Sequence, residues 1–363
     1  MLAACFHGDR DIRVDDVPEP TIERPDDALV RVTLSCICGS DLHYYRHGEA
    51  LGFPAGMRTG HEFLGMVEAV GRDVEGLNEG DRVVGFPLPV CGTCEHCAAG
   101  IWPCEAGPGA FGFSPAFWPF GGEVQGCQSE VLRVPLATGT LTRMPDAVAG
   151  PEHEAALLAC VDNMATGWHG ATAAGVEPGD SVVVLGDGGV GLCAVHAAAV
   201  KGAEPVVCLG HHADRLAVAE EMGAHVVISS LEPDDIKEQV MALTGGAGAD
   251  AIVQTISGAE PMSVSQACVR RCGTISCVGL EQVVGTEVLV DWLDQFLRNV
   301  TITGGIVPGP RYADELVTMV AEGALDPAPI FTHRLPLEET TEAYRLMEER
   351  EPGVIKVALA PAS

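Results

Sequence analysis

Lysine is almost missing from this chain: Lys201, Lys237 and Lys356 are its three examples. Lys and Arg together number 21 against 51 Asp and Glu, a formal net charge of −30 at pH 7. A surface so poor in cations repels phosphate backbones and anionic lipid, which excludes a nucleic-acid binder and a polybasic membrane protein. Long apolar runs are scarce too. The longest, residues 181–200, is interrupted by Asp187 and several glycines and makes a poor membrane span. Residues 1–16 carry no basic stretch leading into an apolar one, so no signal peptide is expected. Internal repeats and low-complexity segments are missing as well. These absences lead to the expectation of a soluble, cytoplasmic protein.

What is present is ordinary globular composition, 47 % hydrophobic and 20 % charged. The 363 residues suffice for about two domains and a large core. Of 14 cysteines, six fall in two short segments, Cys36/Cys38 and Cys91/Cys94/Cys97/Cys104. The others are scattered through apolar runs. That is the usage of metal ligands and small buried side chains in a reducing compartment, not of a disulfide framework.

The sequence changes character near residue 155. Before it, short β-branched runs (28–34, 64–70, 82–86, 129–134) alternate with Gly, Pro and Asp, the pattern of an antiparallel, barrel-like domain. After Gly175, runs at 181–185, 205–209, 225–228, 251–255, 274–278 and 300–303 alternate with helical stretches such as 189–201 and 213–222. Six strands with interleaved helices predict a doubly wound parallel sheet in an α/β protein. The expected division is a first domain of 1–155 completed by 304–363, around a dinucleotide-binding domain of 156–303.

Gly186-Asp187-Gly188-Gly189-Val190-Gly191 fits G-x-G-x-x-G, directly after one predicted strand and opening a helix. The first glycine permits a tight turn, the second lets backbone approach a pyrophosphate, and the third allows close helix–strand packing. At the end of the next strand, where NAD enzymes usually carry an acid, stands Gly210. A small residue there leaves room for a 2′-phosphate, with His211, His212 and Arg215 to contact it, so NADP is expected over NAD. The other reading makes these histidines a solvated loop.

Cys91-x-x-Cys94-x-x-Cys97 followed by Cys104 places four thiols on one loop, the pattern of a closed tetrahedral structural zinc site. A second set is dispersed: Cys38-Gly39-Ser40-Asp41-x-His43, Gly60-His61-Glu62, and Asp162. Cys, His and carboxylate are all zinc donors, and three of them leave one position open for substrate. Spacing alone does not assemble them. Taken singly, His61 reads as a structural histidine and Asp162 as a helix cap or turn acid.

Together, Cys38-Gly39-Ser40-Asp41, Gly60-His61-Glu62, the four-cysteine lobe, Asp162-x-x-x-Thr166-Gly167, the glycine loop and Ile355-Lys356-Val357 resemble the zinc-dependent medium-chain dehydrogenases/reductases of the alcohol dehydrogenase type. The resemblance runs over nearly the full length. It implies a GroES-like barrel beside a Rossmann sheet, two zinc ions per chain, and interconversion of a neutral alcohol with its aldehyde or ketone. It implies Cys38, His61 and Asp162 as catalytic zinc ligands, with Glu62 a neighbouring carboxylate able to approach the metal. It also implies Ser40 and then His43 as a proton relay, Asp41 orienting a ligand imidazole, Thr166 facing the nicotinamide and Lys356 reaching the pyrophosphate. Asp in the third ligand position resembles the bacterial secondary-alcohol and formaldehyde dehydrogenase branches. Two departures stand out: His where NADP-using members carry Arg after Gly210, and six residues rather than seven between Cys97 and Cys104.

A homodimer or homotetramer is implied, meeting at the sheet edge near 274–278 and 300–303. The aromatic stretch with Phe111, Phe113, Phe117, Trp118 and Phe120 lines either a substrate pocket or a packing contact, and Tyr44, Tyr45 and Phe53 are further pocket candidates. Competing readings are an NAD-dependent formaldehyde or polyol dehydrogenase, a metal-free quinone or enoyl reductase, and a non-catalytic nucleotide-binding protein.

Overall fold

The computed structural model describes residues 1–102, 104–116, 121–122, 124–148, 150–279 and 288–362. Phe117, Trp118 and Phe120 lie outside the described residues. The chain forms two compact units, Met1–Asp162 with Pro308–Ser363, and Asn163–Val307. These divisions stand beside the expected ones at 155 and 303.

A hairpin opens the chain, β1 (Leu2–Gly8) with β2 (Asp11–Asp16). There follow β3 (Ala28–Cys36), α1 (Asp41–His47), β4 (Phe63–Val70), β5 (Arg82–Gly85), α2 (Glu95–Ala99), β6 (Val131–Val134), α3 (Ala137–Thr140) and β7 (Leu141–Arg143). Helices α4 (Glu154–Val161) and α5 (Asn163–Ala173) carry the chain from the first unit into the second. Strands and helices then alternate: β8 (Val182–Leu185), α6 (Gly189–Val200), β9 (Val206–Leu209), α7 (Ala213–Glu221), β10 (Val226–Ile228), α8 (Pro233–Leu243), β11 (Ala249–Gln254), α9 (Ala259–Cys268) and β12 (Val269–Cys277). Next come α10 (Trp292–Arg298), β13 (Thr301–Gly304), α11 (Gly309–Ala321), β14 (Phe331–Pro336), α12 (Thr340–Glu348) and β15 (Lys356–Ala360).

In the first unit the strands run β14-β15-β3-β4-β5-β7, with β6 on β3. The pairing is antiparallel except between β14 and β15, which are parallel. Period-two alternation drives β3: Ala28, Val30, Val32 and Leu34 are buried, while Arg31 faces out toward Glu68 on β4. Phe63 and Phe111 meet edge to face in this core, their centroids 5.6 Å apart, so Phe111 is a packing residue. The returning tail has a specific effect. β15 pairs with the end of β3 (Ala358 with Cys36), and Ile37 N–H donates to the Val357 carbonyl at 3.1 Å. The last strand thereby fixes the segment that carries Cys38.

In the second unit six parallel strands run β10-β9-β8-β11-β12-β13, the doubly wound sheet expected from the alternation. Helices on both faces bury all of Val182–Leu185 and Val206–Leu209, which explains why these strands read as continuous apolar runs. α5 lies tightly on α6: a Cβ at Gly167 would meet the Ala194 nitrogen at 2.5 Å. Leu289, Trp292, Leu293, Phe296 and Leu297 are exposed on and before α10, next in the chain to the end strand β13.

Candidate functional site

Four donor residues from separate parts of the first unit converge. Cys38 follows β3, His61 and Glu62 precede β4, and Asp162 caps the C-terminus of α4. Their ligand atoms lie within 4.8 Å of one another. Cys38 Sγ is 3.4 Å from Asp162 Oδ2, and His61 Nε2 is 3.6 Å from the same oxygen. Zinc bonds of about 2.0–2.3 Å to N, O and S put the corners of a tetrahedron about 3.3–3.8 Å apart, so this donor set fits a zinc ion.

The sequence around Asp41 builds that arrangement. Asp41 is fully buried, and its Oδ2 accepts the Cys38 N–H at 2.9 Å. Its Oδ1 lies 2.9 Å from His61 Nδ1, which leaves Nε2 facing Cys38 and Asp162. Burial works against a charged His61. Asp41 and hydrogen bonds to Asp162 and Cys38 outweigh it and hold the ring well above its ordinary pKa. Ser40 Oγ stands 3.3 Å from His61 Nε2, and His43 sits on α1, partly exposed. Phe113 packs beside the His61 ring, centroids 5.4 Å apart, with Tyr44 and Phe53 behind it.

Within the first unit, Lys356 has a buried partner of its own. Its side chain is 2 % exposed, and its ammonium donates to Glu62 Oε1 at 2.7 Å and to the Ile37 carbonyl at 3.2 Å. Burial pushes the Glu62 carboxyl up, opposed by the Lys356 charge. The tail strand thus brings a buried cation to the carboxylate beside His61. Sequence patterns also gave no sign of the polar chain behind Asp41. Tyr44 and Tyr344 hydroxyls meet at 2.8 Å, Tyr344 donates to Gln128 Oε1 at 3.0 Å, and Gln128 Nε2 reaches Asp41 Oδ2 at 3.4 Å.

The four-cysteine loop forms the second cluster, again with all sulfurs within 4.8 Å. Cys91 and Cys97 are 3.9 Å apart, Cys94 and Cys104 3.9 Å, and Cys91 and Cys104 3.6 Å. Those spacings match a tetrahedron of zinc–sulfur bonds, so the shortened gap before Cys104 is accommodated. Backbone donors orient the sulfurs: Cys94 N–H to Cys91 Sγ at 3.3 Å, Cys97 N–H to Cys94 Sγ at 3.4 Å. Burial opposes ionisation of Cys91, yet N–H groups of Thr93 and Cys94 pull it down to about 6, whereas burial pushes Cys97 up to about 12.

In the second unit the glycine loop joins β8 to α6. Gly186 has φ +116°, and a Cβ at Gly191 would lie 1.9 Å from the Gly186 carbonyl oxygen, so only glycine fits both ends of this turn. Gly188 caps α6, which begins at Gly189 and Val190. Thr166 is buried on α5, and Arg215 lies on α7. The expectation of open space beside Gly210 needs correction. A Cβ there would sit 2.4 Å from Asp187 Oδ2 and 2.5 Å from Asp187 Cβ. Asp187 Oδ2 also accepts the N–H groups of His211 (2.8 Å) and His212 (2.9 Å), and His212 Nδ1 lies 3.0 Å from it. Burial alone would raise the Asp187 pKa, but these bonds hold it below the ordinary carboxylate value.

Two family models match the chain. Residues 24–146 fit the alcohol dehydrogenase GroES-like domain, and residues 189–322 fit the zinc-binding dehydrogenase domain. A Mycobacterium tuberculosis protein named "Probable zinc-binding alcohol dehydrogenase" is 33 % identical, over 100 % of this chain and 89 % of its own length. The chain belongs to the zinc-binding alcohol dehydrogenases.

An alcohol dehydrogenase of Cupriavidus necator is 32 % identical, with 99 % of each chain covered. The solved alcohol dehydrogenase TADH from Thermus sp. ATN1 superposes with a TM-score of 0.90 at 34 % identity, covering 100 % of both chains. As a zinc-type alcohol dehydrogenase the chain is an oxidoreductase, and the pairing of a GroES-like domain with a Rossmann sheet, read from the sequence, is borne out. Among the described residues, no helix is long and apolar enough to cross a membrane.

Proposed function

We propose that this alcohol dehydrogenase interconverts a neutral alcohol with its aldehyde or ketone, using one catalytic and one structural zinc and a nicotinamide dinucleotide. The observation that carries the proposal is the Cys38–His61–Asp162 triangle, with donor spacings of 3.4 and 3.6 Å that suit a tetrahedral ion. A zinc ion there supplies Lewis acidity toward a substrate oxygen, and the dinucleotide carries the hydride.

The chain's own residues do the rest. Cys38 and Asp162 bring two negative charges to offset a dication, and His61 contributes a ring nitrogen that gives up its proton on binding the ion. Asp41 holds the opposite ring nitrogen and fixes the tautomer. Ser40 Oγ takes the alcohol proton and hands it toward His43, whose partial exposure suits a shuttle to solvent. Glu62, held by Lys356, is the neighbouring carboxylate. Cys91, Cys94, Cys97 and Cys104 hold the structural ion. On the dinucleotide side, Gly186, Gly188, Gly189, Val190 and Gly191 take the pyrophosphate and Thr166 the nicotinamide. Phe113, Phe53 and Tyr44 make an apolar surround that favours an uncharged substrate.

For the cofactor, Gly210, His211, His212 and Arg215 favour NADP on the sequence pattern, while the placement of Asp187 favours NAD, a second reading argued below. Exposed Trp292, Leu293, Phe296 and Leu297 beside the end strand of the sheet support a homodimer or homotetramer, which light scattering on the purified chain reads directly. The deciding experiment is an initial-rate assay of primary and secondary alcohols and their carbonyls with each cofactor. Turnover lost on chelation and restored by zinc supports the proposal. Turnover that survives complete removal of zinc overturns it.

A further inference from the structure

We infer that Asp187, a residue of the glycine loop, takes the place of the acid that β9 lacks and makes the enzyme select NAD over NADP. The inference rests on the dinucleotide reading above and deepens it. In a Rossmann fold the carboxylate that accepts from the adenosine ribose 2′-OH is rooted at the end of the second strand. Here that strand ends Val207-Cys208-Leu209-Gly210, with no side chain to offer. A Cβ built on Gly210 would stand 2.4 Å from Asp187 Oδ2. That separation is about 2.4 Å, the reach of a carboxylate oxygen from its own Cβ, by ordinary covalent geometry. The Asp187 side chain, with its Oδ2, Cβ and Cγ 2.4, 2.5 and 2.7 Å from that position, therefore fills the space beside Gly210 and brings a carboxylate to the strand end that lacks one.

The surrounding bonds keep it there and change what the loop can bind. Asp187 is 6 % exposed, and its Oδ2 accepts two backbone N–H groups and faces the His212 ring. The two N–H donors at this strand end are taken up by a carboxylate and are not open to an incoming anion. Oδ1 makes one longer approach, 3.2 Å to His212 Nδ1, and keeps capacity to accept from a hydroxyl. A phosphate dianion beside this carboxylate meets like charge in a partly buried place, where repulsion is strong. His211 and Arg215 remain as cationic or polar neighbours, but they must compete with a fixed anion.

The test measures NADH and NADPH binding to the zinc-loaded wild type and to Asp187→Asn by fluorescence titration, with kcat/KM for NAD and NADP on one turned-over alcohol. Asn keeps an acceptor oxygen for the loop and removes the charge. The expected result is NADH bound at least tenfold tighter by wild type, and a ratio moving at least tenfold toward NADPH in Asp187→Asn. Tighter NADPH binding by wild type overturns the inference and leaves the dehydrogenase reading standing. An unchanged ratio in the variant reduces Asp187 to a loop anchor and overturns it as well. Binding of neither dinucleotide overturns both readings together. The wild-type affinities decide the matter even where the variant does not fold.

Discussion

The two donor clusters of this protein are assembled in opposite ways. Four cysteines between positions 91 and 104 come from one loop, and their sulfurs are aimed by N–H groups of that same loop. Cys38, His61 and Asp162 come from the ends of three different elements, and the ring between them is aimed by Asp41. The first cluster is a local property of a short peptide. The second exists only when the sheet, α4 and the tail strand are all in place. A closed local site lends itself to holding structure. Three donors, as proposed for the assembled cluster, would leave a position for substrate.

Disrupting the assembled cluster should have the largest effect. Asp162→Ala removes one of the three proposed ligands and is expected to lower kcat/KM by about a thousandfold or more, a loss of several kcal/mol in transition-state stabilisation. Metal analysis should find one zinc per chain instead of two, in a protein that still folds. Full activity in that variant would break the comparison at its centre. Disrupting the local cluster should act on stability instead. Cys94→Ala is expected to lower Tm by about 5–10 °C, a few kcal/mol for a unit of this size, with kcat reduced much less than stability. A variant that loses turnover while keeping Tm would reverse the roles assigned to the two clusters.

The smallest expected effect sharpens a third case, the Asp187 tie between the glycine loop and the β9–α7 connection. Its carboxyl is held below the ordinary value, so the folded state binds a proton less readily than the unfolded chain. The stabilisation is therefore complete above the unfolded value of about 3.9 and fades as pH falls through the lower folded value. Urea unfolding should show Asp187→Asn weaker than wild type by about 1–2 kcal/mol at pH 7. The gap should narrow toward pH 3, and a gap that widens in acid would exclude the tie.

The same contrast explains what could be read in advance. The cysteine loop and the glycine loop were legible because each is a fixed spacing of residues with few other uses, and the six-strand alternation was legible because buried parallel strands are unbroken apolar runs. His61 and Asp162 had no such signature and were placed only through resemblance to a family. Lys356 falls in a short motif, but its partner Glu62 lies 294 residues away and no local pattern links them. Asp187 fell on an unspecified position of a glycine pattern, where any residue satisfies the motif. The clue available was indirect: a strand end at Gly210 without its usual acid. The parallel pairing of β14 with β15 was likewise invisible, since register between distant strands leaves no periodicity of its own.

The pairing of the last strand with β3 has a consequence in time. Domains fold as the chain emerges, N-terminal parts first. The cysteine loop has all its sulfurs once residue 104 is made. The segment after Cys36 lacks its hydrogen-bonded neighbour until Val357 and Ala358 arrive, and Glu62 lacks its counterion until Lys356 does. A growing chain thus completes the four-cysteine donor set early and the Cys38–His61–Asp162 set only when synthesis is nearly over, so a truncated product holds the first cluster without a finished second one.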